Sequence, residues 1–196
     1  MAMRPYAPFG ETFYAQAPFR VVTQTTIPAS AEQCFATLKA GELWPKWIAA
    51  VQRVEWTSER PLQRNATRSV YMKNGAQIDE RFIVWDENQR MGFCVTESTI
   101  GGIERFGELY ELTETTDGCH LRWTFAVEMQ KWWQRWLLLL LWPLMYLALQ
   151  SVLKSYAHVA VKHGPKALAT AQQEQRALEH KTRQTAADIL AEPPLN

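Results

Sequence analysis

The chain has 196 residues, of which 47% are hydrophobic, and its formal net charge at pH 7 is +1. This length suits one domain of about 150 residues with tails, and the near-neutral charge argues against nucleic acid as a partner. The composition also includes nine tryptophans. Such large amphipathic rings line ligand cavities and are found at membrane interfaces.

The three cysteines, Cys34, Cys94 and Cys119, are scattered along the chain and form no C-x-x-C pair. This pattern favours reduced thiols and a cytoplasmic protein, and it argues against a disulfide framework or a zinc site. The N-terminus lacks the continuous apolar core of a signal peptide. The chain shows no phosphate-binding glycine loop and no metal-ligand spacing, so neither a metal nor another cofactor is expected.

The first third of the chain is predicted to contain an arm, one strand and two short helices. Residues 1–18 carry proline and glycine among aromatic residues, which indicates an irregular arm that docks on the domain. Phe19–Ile27 is rich in valine and threonine, which is typical of a strand. Ser30 is a suitable N-cap for a short helix that ends at Gly41. Glu42–Val51 is predicted to be a second short helix.

From Val54 onward, apolar residues alternate with polar ones, which predicts strands. The six candidates are Val54–Thr57, Ala66–Lys73, Ala76–Trp85, Met91–Ser98, Phe106–Thr113 and Cys119–Met129. Short turns separate them, and Asn74-Gly75 is the strongest hairpin signal. A two-residue turn at this point would place Ser69 opposite Glu80, whereas a bulged turn would reverse the faces of the earlier strand.

The longest apolar run is Trp132–His163, and its segment Trp136–Leu153 contains no charged residue. About 18 apolar residues is the lower limit for a bilayer span. Pro143 interrupts the run, and proline is tolerated in the first turn of a helix but not in its interior. We therefore predict an aromatic approach segment over Trp132–Trp142 and a cavity-closing helix over Pro143–Lys162. An interfacial helix, a dimer helix and a true span are the alternatives.

The residues after this run have a different composition. Gly164-Pro165 is predicted to end the long helix. Residues 164–196 are rich in Ala, Gln, Glu, Lys and Arg, and they are predicted to form a polar tail that is either a solvated helix or disordered. The domain itself is thus predicted to span residues 19–163.

The order of these elements resembles that of the helix-grip superfamily. This START-like group, also called SRPBCC, includes polyketide cyclase/dehydrase and lipid-transfer proteins. The segments IPASAEQCFATL (27–38) and ELWPKWIAAVQRVEW (42–56) resemble the family's strand-to-helix junction and second helix, and residues 78–95 and 110–128 resemble its middle and last hairpins. The resemblance implies an α+β fold in which a seven-stranded curved antiparallel sheet wraps around a long C-terminal helix, with an apolar cavity between them.

Strand alternation then indicates which side chains face that cavity. A lining of this kind suits a hydrophobic molecule that one polar group orients. The residues predicted to contact the ligand are Phe82, Phe93, Val95, Glu108, Tyr110, Trp123, Phe125, Leu149, Leu153 and Tyr156.

Carboxylates interrupt three of the apolar strand faces. Buried carboxylates are rare unless they are paired, and burial raises their pKa, so Glu80 and Glu108 are weak catalytic candidates. Glu97, at a strand end, could instead turn to solvent. The face of Glu80 also carries Ile78, Phe82 and Val84. In a purely structural role, Glu108 would form an ion pair with one of Arg68, Arg81, Arg105 and Arg122.

Three functions are compatible with these features. The first is binding, and in a further step transport, of a hydrophobic small molecule such as a lipid, isoprenoid or polyketide-like compound. The second is a cyclase/dehydratase- or hydrolase-type enzyme, in which Glu80 or Glu108 is the acid or base and Tyr110 or Arg122 orients a carbonyl. The third is lipid handling by a protein peripheral to a membrane, because the tryptophans of Trp132–Trp142 resemble an interfacial belt. The same segment would also suit a homodimer contact.

Overall fold

The fold is described from a computed structural model that covers residues 2–191. A 3₁₀ turn, Gly41–Leu43, directly precedes the short helix that begins at Trp44. The elements in chain order are β1 (Arg4–Pro5), α1 (Phe13–Gln16), β2 (Phe19–Ile27), α2 (Ala31–Lys39), α3 (Trp44–Trp47), β3 (Val51–Trp56), β4 (Thr67–Met72), β5 (Gln77–Asp86), β6 (Arg90–Ser98), β7 (Ile103–Thr115), β8 (Gly118–Met129), α4 (Trp132–Leu140) and α5 (Trp142–Ala191).

The strands form one antiparallel sheet in the order β2-β8-β7-β6-β5-β4-β3. The short strand β1, from the N-terminal arm, adds to it by pairing with the end of β6, where Arg4 faces Ser98. Helix α5 packs on the concave face against β2, α2 and α3. The predicted fold, a curved antiparallel sheet around a long C-terminal helix, is therefore confirmed, and β1 is an extra strand that the sequence did not indicate.

Helix α2 begins at the predicted cap. The Ser30 hydroxyl accepts a hydrogen bond from the Gln33 amide, and the Gln33 side chain accepts one from the Ser30 amide, both at 3.2 Å. This reciprocal pair is a capping box. Helix α3 (Trp44–Trp47) is much shorter than the predicted helix Glu42–Val51, because the chain enters β3 at Val51. The buried Trp44, which donates to the Leu38 carbonyl at 2.9 Å, anchors the start of α3 on α2.

The turn between β4 and β5 is of the bulged kind. The Met72 amide donates to the Ala76 carbonyl at 2.8 Å, which encloses a three-residue loop with Gly75 at φ +83°. Three-residue hairpin loops use a residue of this conformation to form a bulge. The result places Arg68 opposite Glu80, so the two-residue register that would have put Ser69 there is wrong.

A bulge also changes the face of one residue in β5. The register shifts between Phe82 and Val84, so Val84 packs on the outer side of the sheet, whereas its predicted position was on the cavity side with Phe82. Helix α1 of the N-terminal arm covers this outer side, where Phe13 and Tyr14 pack against Val84. The arm therefore buries part of the convex face.

The long helix differs from its prediction at both ends. The predicted approach segment is helical over Trp132–Leu140, and α5 runs from Trp142 to Ala191 without stopping at Gly164-Pro165. A Cβ at Gly164 would lie 3.1 Å from the Gln33 Cβ of α2. This glycine therefore allows close packing of two helices and does not end one. Residues 164–191 of the predicted tail are helical, and residues 192–196 lie outside the described part of the chain.

Candidate functional site

Aromatic rings fill the space between the sheet and α5. Trp47 lies at their centre, with its ring centroid 4.6 Å from that of Trp44 and 5.1 Å from that of Tyr156. Tyr110 and Trp123, on neighbouring strands, stack with centroids 5.6 Å apart and planes 10° apart. Rings contribute large buried areas and specific contact geometries, so this interior is the most densely aromatic part of the molecule.

A charged pair lies within this aromatic interior. Arg68 on β4 and Glu80 on β5 are 1% and 4% exposed, and the Arg68 Nε donates to the Glu80 Oε2 at 2.5 Å. Burial raises the pKa of Glu80, and the guanidinium of Arg68 opposes that rise. Such a pair tolerates burial only because each charge compensates the other.

The rest of the Arg68 guanidinium faces rings. Its central carbon lies 3.8 Å from the ring centroid of Trp44, 4.9 Å from that of Phe82 and 5.1 Å from that of Phe93. Ring faces attract a cation, but they do not replace hydrogen-bond acceptors. Both terminal amino groups, Nη1 and Nη2, are buried and have no hydrogen-bond partner among residues 2–191. Buried donors of this kind are expensive to leave unsatisfied.

Glu108 on β7 is the second buried carboxylate of the interior, and it is 8% exposed. It accepts hydrogen bonds from the Tyr110 hydroxyl and, at 3.2 Å, from the Trp123 Nε1. Burial raises its pKa from 4.5 to about 7, although both hydrogen bonds act in the opposite direction. Burial also raises the pKa of Tyr110 well above 10.0, so this phenol remains a donor.

Glu108 forms none of the ion pairs that were predicted for a purely structural role. Arg105 pairs with Glu128 at 3.4 Å, and Arg122 pairs with Glu111 at 2.5 Å, both at partly exposed sites. Arg122 is exposed and does not point into the interior, so its predicted role in orienting a substrate carbonyl is wrong. Glu97 is exposed as well.

We use the name polar cluster for five side chains that converge inside the apolar core: Arg68, Glu80, Glu108, Tyr110 and Trp123. The sequence pointed to four of these as site residues, but it named Arg68 only as one of four partners for Glu108. The missed signal is the alternation of Arg68 with Val70 on β4, which becomes visible once the bulged register is known. The cluster offers hydrogen-bond donors to an oxygen atom and a carboxyl that exchanges a proton near neutral pH.

Most residues predicted to contact a ligand lie around this cluster. Leu149 and Phe125 are half-buried and pack in a neighbouring apolar cluster with Phe19, Val21 and Val127. Eight of the ten are buried in the interior: Phe82, Phe93, Val95, Glu108, Tyr110, Trp123, Leu153 and Tyr156. Their rings and side chains are in mutual contact, so a ligand would have to separate them, and their role in ligand contact stays a prediction.

Two concavities of the described surface lie elsewhere. One of about 760 Å³ separates the extension of α5 from the loop that carries Arg60, whose Nη1 pairs with Glu174 at 2.5 Å. Another, of about 470 Å³, lies beside Trp132 and Trp136. Within residues 2–191, no group of three or more His, Cys, Asp and Glu side chains is arranged to hold a metal ion.

The fold and the interior define a class of protein: a helix-grip domain whose enclosed core carries a small polar cluster. Residues 18–159 match the family model described as "Polyketide cyclase / dehydrase and lipid transport", and the chain belongs to this family. Family membership indicates a hydrophobic small-molecule ligand at the level of the family.

The related proteins found agree with this assignment. Uncharacterized proteins of Mycobacterium tuberculosis and Mycobacterium bovis are 32% identical over 127 residues, which is 65% of this chain and 76% of theirs. A START superfamily protein from Mycobacterium smegmatis has a TM-score of 0.58 at 12% identity, over 73% of this chain and 97% of its own. A Thermus thermophilus protein also gives 0.58, at 19% identity, over 74% and 98%. The two solved structures show the shared fold.

In the described part of the chain, no single helix has both the length and the apolar composition to cross a bilayer. Helix α4 and the part of α5 up to Thr185 meet that test only as a pair, which is bent by 67° at the break between them.

Proposed function

We propose that this domain binds a hydrophobic small molecule between the sheet and α5, and that Arg68 and Glu108 orient its polar end. A lipid, an isoprenoid or a polyketide-like compound would fit this description. The observation that carries the proposal is the pair of buried amino groups of Arg68 for which the described chain supplies no acceptor. A carbonyl or carboxylate oxygen of a ligand would satisfy them.

The energetics of the interior support this assignment. A buried polar group without a partner destabilises a protein by about 1–3 kcal/mol, so the cluster is less satisfied than a purely structural one needs to be. Apolar pockets with a few convergent polar groups are the usual form of small-molecule sites. Binding would require Trp47 to move away from Tyr156 and Trp123, because their rings now occupy the space.

The direct test is native mass spectrometry of protein purified without detergent, followed by extraction of any bound compound. A co-purified hydrophobic molecule with an oxygen-bearing end is the expected result. The second arm titrates a fluorescent fatty acid analogue into the wild type and into R68M/E80Q. The double variant removes both charges of the pair together, so it should fold but bind the analogue about tenfold or more weakly. Equal affinities, or no binding to the wild type, would contradict the proposal.

A second candidate is enzymatic, and the raised pKa of Glu108 favours it. A carboxyl with a pKa of about 7 both accepts and donates a proton near neutral pH, and a positioned acid or base typically contributes about 10²–10⁴-fold in rate. Glu108 would be the acid or base of a cyclase/dehydratase- or hydrolase-type reaction. Tyr110, which donates to Glu108, would hold it in place. The discriminating result is conversion of the extracted compound by the wild type and not by E108Q, with binding retained in the variant.

Peripheral association with a membrane is the remaining part of the proposal. It is supported by the exposed apolar side chains of α4 and the first turns of α5. A homodimer through the same segment and a cytoplasmic location both stay predictions.

A further inference from the structure

The bent helix pair formed by α4 and the first turns of α5 presents an unusual apolar surface. We refer to residues 132–147, whose two helices are bent by 67° and are not antiparallel, as the hairpin. Trp132 and Leu140 are 78% and 77% exposed, which is far more than large apolar side chains normally are in a folded domain. The other exposed members of this surface are Trp133, Trp136, Leu137, Leu139, Leu141, Trp142, Leu144 and Leu147.

The side chains of the hairpin are arranged by type. Tryptophans occupy the start of α4, at Trp132, Trp133 and Trp136, whereas the exposed residues around the bend are mostly leucines. Tryptophan is enriched at the headgroup level of a bilayer and leucine in its hydrocarbon region. A bent helix pair with leucines at its tip and tryptophans behind them therefore matches the depth profile of a lipid interface.

The charge of the segment that follows Glu128 is one-sided, and Glu128 itself, which lies beside Trp132 and Trp136, is paired with Arg105 at 3.4 Å. Residues 129–173 contain no Asp or Glu. Their basic residues are Lys131, Arg135, Lys154, Lys162 and Lys166. Lys131 and Arg135 adjoin the exposed tryptophans in the sequence, and Lys or Arg beside an apolar face is attracted to anionic lipid headgroups. This complementarity favours a bilayer over a second copy of the chain, because two copies would bring these basic segments together.

The inner side of the hairpin covers one end of the aromatic interior. Leu138, Met145 and Tyr146 pack on the cluster of Phe19, Val21 and Val127. The residues Ile103, Phe106 and Leu149 contact both this cluster and the main core: they form the connection between hairpin and interior. Displacing the hairpin would therefore expose a path to the polar cluster.

Besides this apolar packing, the hydrogen bonds that join this part of the chain to the sheet are few and exposed. The Trp142 Nε1 donates to the Arg20 carbonyl at 3.3 Å. Just beyond the hairpin, the Gln150 side chain donates to the Gln24 carbonyl, also at 3.3 Å. Exposed hydrogen bonds of this length contribute little to stability, because water replaces them readily. The hairpin can thus exchange these contacts for contacts with lipid.

We infer that this hairpin docks in the interface of an anionic lipid bilayer and that its displacement opens the route by which the ligand enters the interior. The docking part stands on the hairpin alone, while the route rests on the proposed function. The bilayer is thereby the source or the destination of the ligand.

Vesicle flotation tests the docking part. The wild type should float with vesicles of phosphatidylcholine and phosphatidylglycerol, and less with phosphatidylcholine alone. L140E and L144E each place a charge in the exposed apolar surface that would enter the bilayer, so each should reduce binding roughly tenfold or more. The matched control is V161E, an exposed apolar residue further along α5, which should float like the wild type. Circular dichroism and thermal unfolding verify that all variants are folded.

Sedimentation of the protein without vesicles distinguishes docking on lipid from dimerisation through the same surface. A wild-type dimer that L140E dissociates, together with no vesicle binding, would assign the surface to a second copy and overturn the inference. Normal flotation of L140E and L144E would overturn it as well.

Ligand transfer tests the route. A fluorescent fatty acid analogue should move from vesicles to the wild type about tenfold faster than to L140E, while both proteins bind the free analogue equally in vesicle-free buffer. Equal transfer rates would refute the route and leave docking intact. Failure of the wild type to bind the free analogue would refute the proposed function instead, and flotation would still report on docking.

Discussion

Arg68 and Glu80 face each other across the β4–β5 pair and form an ion pair inside an aromatic core. The Arg68 Nε and the Glu80 Oε2 are 2.5 Å apart, and the guanidinium stacks on Trp44 at 3.8 Å. Only one of the three guanidinium nitrogens has an acceptor in the described chain. The pair is therefore compensated in charge but incomplete in hydrogen bonding, which is the condition expected of a site that takes up another polar atom.

The first prediction concerns this pair. R68M should lower the free energy of unfolding by about 3–5 kcal/mol, because it leaves Glu80 buried without its partner. R68M/E80Q should recover most of that loss, since it removes both charges. Urea unfolding of the two variants and of E80Q completes a double-mutant cycle.

The exposed pair of Arg53 and Glu55 provides the control, with both side chains about half exposed, at 50% and 52%. E55Q should change stability by less than about 1 kcal/mol, because surface pairs contribute little. An R68M variant no less stable than E55Q would show that the buried pair contributes no more than a surface one.

The second prediction concerns the pH dependence caused by Glu108. Its pKa is about 7 in the folded chain, compared with the ordinary value of 4.5 that applies to the unfolded chain. The folded state therefore keeps a proton that the unfolded state has lost between these two values, and stability falls as the pH rises through that window. Below it, both states are protonated, and above it the loss is complete at about 3 kcal/mol.

The variant E108Q isolates this effect, because glutamine does not titrate. The stability difference between E108Q and the wild type should grow in favour of E108Q from pH 4.5 to 7 and then stay constant. Urea unfolding at half-unit pH intervals measures it. A difference independent of pH would mean that Glu108 has an ordinary pKa.

The third prediction concerns Gly164 in α5. A Cβ there would lie 3.1 Å from the Gln33 Cβ and 3.2 Å from the Gln33 carbonyl oxygen. Alanine normally stabilises a helix by up to about 1 kcal/mol relative to glycine. We expect G164A to destabilise instead, by about 1–3 kcal/mol, because α2 and α5 must move apart. The control is G10A, whose new Cβ meets nothing within 4 Å; a stabilised G164A would show that the helices have room.

The fourth prediction concerns the N-terminal arm. The hydroxyl of the buried Tyr14 donates to the Phe93 carbonyl at 2.9 Å. Y14F should therefore lower the free energy of unfolding by about 1 kcal/mol. Y6F removes a similar bond to the Ile100 carbonyl at a part-buried position, where water can replace the hydroxyl, so its loss should be smaller. Thermal unfolding compares the two, and a larger loss in Y6F would contradict this account of the arm.

Local patterns determined much of the fold. The capping residues around Ser30, the valine- and threonine-rich Phe19–Ile27 and the alternating segments from Val54 all formed their predicted elements. Hydrophobic period and helix caps depend on neighbouring residues only, so a single sequence shows them. The buried position of Glu108 among Phe106, Tyr110 and Leu112 followed from the same alternation.

Contacts between distant segments decided the rest. Gly164 looked like a helix stop, but it lies against Gln33 of α2, and the helix continues past Pro165. Pro165 removes one backbone hydrogen bond, and the rest of a 50-residue helix tolerates that loss. Helix-stop residues such as glycine and proline do not show which helix will pack on a glycine, because that depends on the fold.

The sequence by itself determined the order of elements and the apolar character of the interior, because these follow from composition and periodicity along the chain. The family followed from the resemblance of its segments to those of known members. The tertiary structure alone decided that Arg68 faces Glu80. A bulge of one residue at Gly75 reversed the faces of β4, and a shift of one residue moves every side chain of a strand to the other side. The polar cluster forms because the turn at Gly75 places the Arg68 guanidinium among the aromatic rings of the interior.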